Sequence, residues 1–215
     1  MKEEDNDLNI KMTWSCECDV EDSGEPDYLI YGTEGELFNM GDDDNNRELA
    51  GRFSLFYVDA ERAINERASL FEALDCHSQT MLDYYQLFEE NGEYGFSDRV
   101  MKIVPEGTVV NYNLLVVDRI EILPKFRGKK LGLRVLRQIM NRFACGTDIV
   151  ALKPFPLQFE GMSPGIEAAT KWREEMGLAQ MTKHKRVATK KLRDYYASAG
   201  FRLVRGTQMM IRSMG

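Results

Sequence analysis

Three observations predict a mixed α/β fold for this chain of 215 residues. Apolar segments of strand length, some alternating and some continuous, are interspersed with stretches whose apolar residues recur every three to four positions. The helical stretches lie between strands, so the sheet must be covered in part on both faces. Glycines and prolines fall at the junctions, where the chain changes period.

In order, residues 8–20 and 27–38 alternate loosely around Asp22-Ser23-Gly24-Glu25-Pro26 and read as a strand pair. Residues 51–58 give a third strand, with Phe53, Leu55 and Tyr57 on one face. Asp59 begins a helix whose stripe is Ala63, Ile64, Ala68, Phe71 and Leu74. After a break at 75–78, a second helical stretch runs through Met81, Leu82, Tyr85 and Phe88, with Ser78 as N-cap and His77 a surface or capping residue. Strands are expected at 99–104 and 113–123, then a turn and a helix to Phe143, with Gly146 as its stop. A strand at Ile149–Leu152 follows.

Residues 153–186 form a long link. Lys153-Pro154-Phe155-Pro156-Leu157 cannot stay regular, since each proline lacks a donor and restrains its predecessor. Ser163-Pro164-Gly165 opens a short helix over 166–176, ended by Gly177. A link of this length shapes an acceptor pocket or is a surface insert. A last helix stops at Gly200, and Phe201-Arg202-Leu203-Val204 reads as a strand.

At 43% apolar the chain buries one substantial core, and it is read as one domain over 1–215. No apolar run reaches the ~18–20 residues that cross a bilayer. The opening Met-Lys-Glu-Glu-Asp-Asn-Asp does not resemble a secretory signal, so the expectation is a cytoplasmic protein with thiols at Cys16, Cys18, Cys76 and Cys145. Cys16-x-Cys18 lacks a second pair of ligands nearby, and no metal is expected. Within the net charge of −7, residues 1–50 hold 16 acids against 3 bases, a net of −13, and the remainder carries +6. The acidic part would dock on the basic part, attract a cationic substrate or keep the protein soluble; Asp42-Asp43-Asp44-Asn45-Asn46 reads as a solvated turn.

The densest chemical signal is Arg127-Gly128-Lys129-Lys130-Leu131-Gly132. It follows Leu114-Leu115-Val116-Val117-Asp118-Arg119-Ile120-Glu121-Ile122-Leu123 and opens the helix of Leu131, Val135, Leu136, Ile139, Met140 and Phe143. A cation-rich turn at a helix N-terminus offers unpaired N–H groups and the positive end of the dipole to an anion. Three cations in four residues suggest a polyanion such as a pyrophosphate. The Walker pattern fails because neither lysine is followed by Ser or Thr, and the dinucleotide pattern fails on spacing.

The segment Pro124, Phe126, Arg127, Gly128, Lys129, Leu131 and Gly132 resembles the acyl-CoA signature [QR]-x-x-G-x-[GA] of the GNAT (Gcn5-related) N-acetyltransferase superfamily. Lys130 stands at the middle glycine; a residue with a Cβ presents its N–H there if φ is negative, its side chain on a phosphate or in solvent. Leu192-Arg193-Asp194-Tyr195-Tyr196-Ala197-Ser198-Ala199-Gly200-Phe201 resembles the late helix of that family, ending Y-x-x-x-G-F. The resemblance covers about 105–152 and 187–212; 1–58 match no motif.

This resemblance implies a GNAT-type mixed, strongly twisted central sheet flanked by helices. Its N-terminal part is rearranged or augmented, because the helical region follows three strands instead of one. The chain then divides into acidic N-terminal strands (1–58), a helical segment (59–91), an acyl-CoA-binding core (99–152), the link (153–186) and a C-terminal helix and strands (187–215). The implied activity is acyl-CoA-dependent N-acyl transfer, most simply acetyl from acetyl-CoA to an amine, by direct attack in a ternary complex. By resemblance, the pantetheine arm pairs along Ile120 and Ile122, and the pyrophosphate sits on the N–H groups of 127–132.

Tyr196, four before Gly200, takes the position of the tyrosine that protonates the leaving thiolate, with Tyr195 its rival. Asp118 and Glu121 are the candidates to take the amine proton, or are sheet-surface charges paired with Arg119. Strict alternation puts Asp118 with Ile120 and Ile122 and Glu121 opposite, and a bulge would change that parity. The alternative is a non-catalytic acyl-CoA-binding or protein-interaction module on the same fold. A nucleic-acid role would rest on Lys183-His184-Lys185-Arg186 with Lys190, Lys191 and Arg193, which reads better as a solvated helix face. Expected partners are therefore acetyl-CoA or CoA and an amine-bearing acceptor, with neither membrane nor nucleic acid; a homodimer is left open.

Overall fold

A computed structural model describes residues 8–16, 25–41, 46–88, 95–161 and 167–215. Its elements run β1 (Ile10–Cys16), β2 (Ile30–Met40), β3 (Arg47–Val58), α1 (Ala60–Glu66), α2 (Leu70–His77), α3 (Gln79–Leu82), α4 (Asp98–Met101), β4 (Leu114–Ile122), α5 (Leu131–Phe143), β5 (Ile149–Leu152), α6 (Glu167–Glu175), α7 (Lys185–Ala197), β6 (Arg202–Leu203) and β7 (Met210–Ser213). The seven strands form one sheet in the order β1-β2-β3-β4-β5-β7-β6. All neighbours are antiparallel except β4 and β5. The chain is thus a mixed α/β protein, with α1 to α4 inserted after three strands.

The β4–β5 pair explains why the sheet has two cores. Leu114, Val116, Ile149 and Ala151 pack on the side of α1 to α4, with Leu74, Met81, Tyr84 and Val100. Leu115, Val117, Val150 and Leu152 pack on the side of α5, with Leu131, Leu136, Ile139 and Phe201. Alternation of side chains on both strands produces this division. Each large aliphatic group so buried contributes about 1.5–3 kcal/mol.

Three expectations are corrected. Residues 99–104 are no strand: α4 begins at Asp98, and Val100, Ile103 and Val104 make a helical face against the core. Their spacing is i, i+3, i+4, which marks a helix and not a strand. The helix expected from Asp59 is two helices, because Arg67 adopts a left-handed φ of 57° and caps α1. A fresh N-cap, Ser69, then starts α2, which rotates the stripe so that Phe71 lies exposed and Ala73 is buried. Finally, φ at Lys130 is +54°, not negative. Ser78 does cap α3 through Met81 N, as its sequence position suggests.

Several expectations fall outside the described residues: Cys18, the turn at 42–45, most of 22–26, and Ser163-Pro164-Gly165. Among the described residues Cys76 and Cys145 are free thiols. No group of side chains there could hold a metal ion, and no helix is long and apolar enough to cross a membrane.

Candidate functional site

Two local features of β4 make the site. The first is a bulge. Ser54 pairs with Arg119 and Leu55 with Val117, so Asp118 is an extra residue on β4. Past it, Ile120 and Ile122 pack with Leu115 and Val117 on the α5 side. Glu121 is left on the opposite face, away from Ile120 and Ile122. Asp118 itself is held by Ser54 Oγ, which donates to it at 2.9 Å, and by Arg119 Nε at 3.3 Å.

The second is a parting of strands. β4 pairs with β5 only through Leu114, Val116 and the residue between them. Beyond Leu152 the sequence Lys153-Pro154-Phe155-Pro156 cannot extend the ladder, because the prolines carry no N–H. β5 ends, β4 runs on to Ile122, and a wedge opens between them. Its volume is about 460 Å³, and Ile120, Ile122, Phe155, Met176, Tyr195 and Tyr196 are among its walls. That size suits an organic ligand of moderate length.

The turn at 127–132 closes one end of this cleft. Gly128 (φ +84°) and Lys130 (φ +54°) are both left-handed, and the turn leads into α5. Lys130 therefore holds a backbone that glycine adopts without strain. Arg127 turns inward: its Nε donates to the Ile122 carbonyl and its Nη2 to the Met176 carbonyl, both at 2.7 Å. Burial lowers its pKa. It pins the link to β4, which leaves the charges of Lys129 and Lys130 and the backbone amides as what the turn offers to an anion. Leu131 contributes only its backbone there, since its side chain is buried in the core.

Gly132 makes a close approach that its motif position does not point to. A Cβ there would lie 2.5 Å from the Tyr195 hydroxyl. Glycine lets that phenol reach the first turn of α5. Burial pushes the Tyr195 pKa up, with a partial offset from the Leu133 backbone. Tyr196 lies in the cleft wall with its phenol pushed up to about 12, by burial first and by Tyr195 second. It stays protonated across the ordinary pH range.

On the other face of β4 lies a hollow of about 630 Å³. Thr13, Glu34, Glu36, Phe56 and Glu121 are among its walls, and Asp118 and Arg119 line both it and the cleft. The two spaces thus meet at the bulge. Of the sequence-predicted residues, Tyr196, Ile120, Ile122, Arg127 and Gly132 line the cleft and Glu121 the hollow, with Asp118 between them.

Sequence reasoning missed the group that locks this junction. Arg119 is bound by Glu160 through both terminal nitrogens, and Asp118 and Glu121 lie 3.3 and 3.9 Å from it. Glu160, first, and the two neighbouring carboxylates raise its pKa, so it stays charged. The Trp172 indole N–H donates to Glu121 at 2.7 Å. Glu160 and Trp172 sit on the long link, where no motif draws attention to them. The link, expected to shape an acceptor pocket or to be a surface insert, lines the cleft on the Ile120 side through residues 155–158 and Met176, Leu178, Met181 and Thr182.

The fold and site define a mixed α/β protein with a wedge-shaped cleft at a strand bulge. Compared with family models, with curated proteins and with solved structures, the chain has no match.

Proposed function

We propose that the protein is an acyl-CoA-dependent N-acyltransferase, moving acetyl from acetyl-CoA to an amine by direct attack in a ternary complex. One observation carries this reading. A cleft beside the part of β4 that has no second strand partner among the described residues ends at the left-handed, cationic turn into α5 and meets a second hollow at Asp118. An amide-bearing arm such as pantetheine would pair with the edge of β4 between Val116 and Ile122, whose carbonyl Arg127 already holds. Its pyrophosphate would take the amides of 128–132 and the charge of Lys129 and Lys130, with Arg127 holding the wall behind.

The amine enters from the hollow. Asp118 or Glu121 takes its proton, directly or through a water, as nitrogen attacks the thioester carbon. A β4 N–H near the bulge stabilises the oxyanion. Collapse expels the thiolate, and the Tyr196 phenol supplies its proton. Acid and base are then restored by solvent exchange.

The test is calorimetry of the purified protein with CoA and acetyl-CoA, followed by thiol release against a panel of amines. Absence of binding to either would sink the proposal. Binding without thiol release would instead support a non-catalytic acyl-CoA-binding or interaction module, a reading that Lys130 in the glycine position favours.

A further inference from the structure

The sheet ends at β1, whose outer side has no partner strand among the described residues. Asn9 carbonyl accepts from Met40 N at 2.8 Å, and the register continues from there. Odd-numbered residues of β1 therefore turn their backbone groups to β2, and Ile10, Met12 and Trp14 turn theirs outward. The side chains of those three face α5: Ile10 and Met12 pack on its core, and Trp14 meets Phe143 edge to face at 5.3 Å.

Along this edge runs a groove of about 570 Å³, walled by Met12 and Trp14 below and by Arg134, Arg137 and Arg142 of α5 above, with Lys11 at its side. Among the described residues its lining holds no carboxylate. None of the four cations has an ion-pair partner among the described residues, although the chain as a whole carries −7. Arg134 donates to the Leu8 carbonyl at 3.3 Å and Arg142 lies over the Trp14 ring, but neither contact neutralises a charge. Four cations without a described counter-charge, beside an open strand edge, call for an anionic occupant that also offers backbone hydrogen bonds.

We infer that this edge docks an extended acidic segment of a partner protein, which adds as an outer strand against β1 and sets alternate Asp or Glu side chains under the arginines. The dimensions agree. Arg134 and Arg142 are eight helical positions, about 12 Å, apart. Three acids at alternate positions of an extended chain span about 13 Å. A second copy of this chain fits poorly, because pairing β1 with β1 brings the same cations face to face. A nucleic acid would use the charges and Trp14 but leave the strand edge unpaired.

A fluorescein-labelled peptide of alternating Val and Glu, titrated into the full chain and followed by anisotropy, tests the inference. Binding is expected, and Arg134→Glu with Arg142→Glu should weaken it at least tenfold while leaving the melting temperature within a few degrees. N-methylation of alternate peptide amides should weaken it to a similar extent, since strand addition needs those donors. No binding at millimolar peptide, or equal binding by the charge-reversed protein, would overturn the assignment. So would equal binding of the N-methylated peptide, which is the signature of ion exchange alone. An oligo-dT probe that binds more tightly than the peptide would reassign the groove to nucleic acid.

Discussion

The indole N–H of Trp172 donates to Oε2 of Glu121 at 2.7 Å, while the Arg52 guanidinium lies 4.2 Å over the same indole ring. Through this one side chain, α6 on the long link is fastened to both β3 and β4. Glu121 is largely buried, its side chain 13% exposed, so the bond is its main compensation besides Arg119.

Trp172→Phe keeps an aromatic face for Arg52 and removes only the donor. It is expected to lower stability by about 1–3 kcal/mol, the cost of leaving a buried acceptor without its partner. A double-mutant cycle with Glu121→Gln, read by thermal or denaturant unfolding, should give a coupling above about 0.5 kcal/mol. Purely additive effects would mean the bond contributes nothing.

Tyr196→Phe removes the proposed thiolate acid and keeps the ring that packs on Phe201 (centroids 6.3 Å apart). If the acyltransferase reading holds, kcat should fall about 10²-fold or more, with acetyl-CoA affinity little changed. Because the phenol is pushed up to about 12, the wild-type rate should show no loss from Tyr196 ionisation below about pH 11. An unaltered kcat in Tyr196→Phe would remove the role.

Gly132→Ala tests the turn without touching a charge. The new methyl would fall 2.5 Å from the Tyr195 hydroxyl, which must retreat from the start of α5. CoA affinity is expected to drop roughly tenfold. Gly132→Ala in a Tyr195→Phe background should lose less, since the clashing oxygen is gone. Equal losses in both backgrounds would show that the glycine serves the ligand directly.

His77 supplies a pH dependence. Its ring stands edge-on to Phe56 at 4.8 Å, and burial lowers its pKa, with Asp27 and Asp118 pulling the other way. The unfolded chain, near 6.5, binds the proton first. The folded protein is therefore at full stability above that value and loses stability as pH falls toward the lowered pKa of the folded state. A His77→Phe variant should show a flatter melting temperature between pH 7 and 5, and an identical slope in both proteins would reject the assignment.

Local pattern was enough for much of the fold. Strand 114–122, the turn after it, helix 131–143, strand 149–152 and the Gly200 stop all follow from apolar periodicity and glycine placement, which act over a few residues. Where short apolar runs fit two periods, as at 99–104, the core against which Val100 and Val104 pack made the choice. The same holds for the break at Arg67, which no proline or glycine marks.

The candidate site divides along the same line. The residue types of 118–132 and Tyr196 were legible because backbone amides, cations and a phenol carry their chemistry wherever they are placed. Their arrangement was not. Only the three-dimensional pairing reveals that Asp118 is a bulge residue, that β4 outruns β5 at the prolines, and that Arg127 is turned inward onto the Ile122 and Met176 carbonyls. Glu160 and Trp172 act across 41 and 51 residues of sequence, through single contacts that leave no periodic trace. Sequence alone determined which groups the protein owns and most of the elements that carry them. Tertiary structure decided which of them meet, because hydrogen-bond register and side-chain packing are settled between distant segments and not within them.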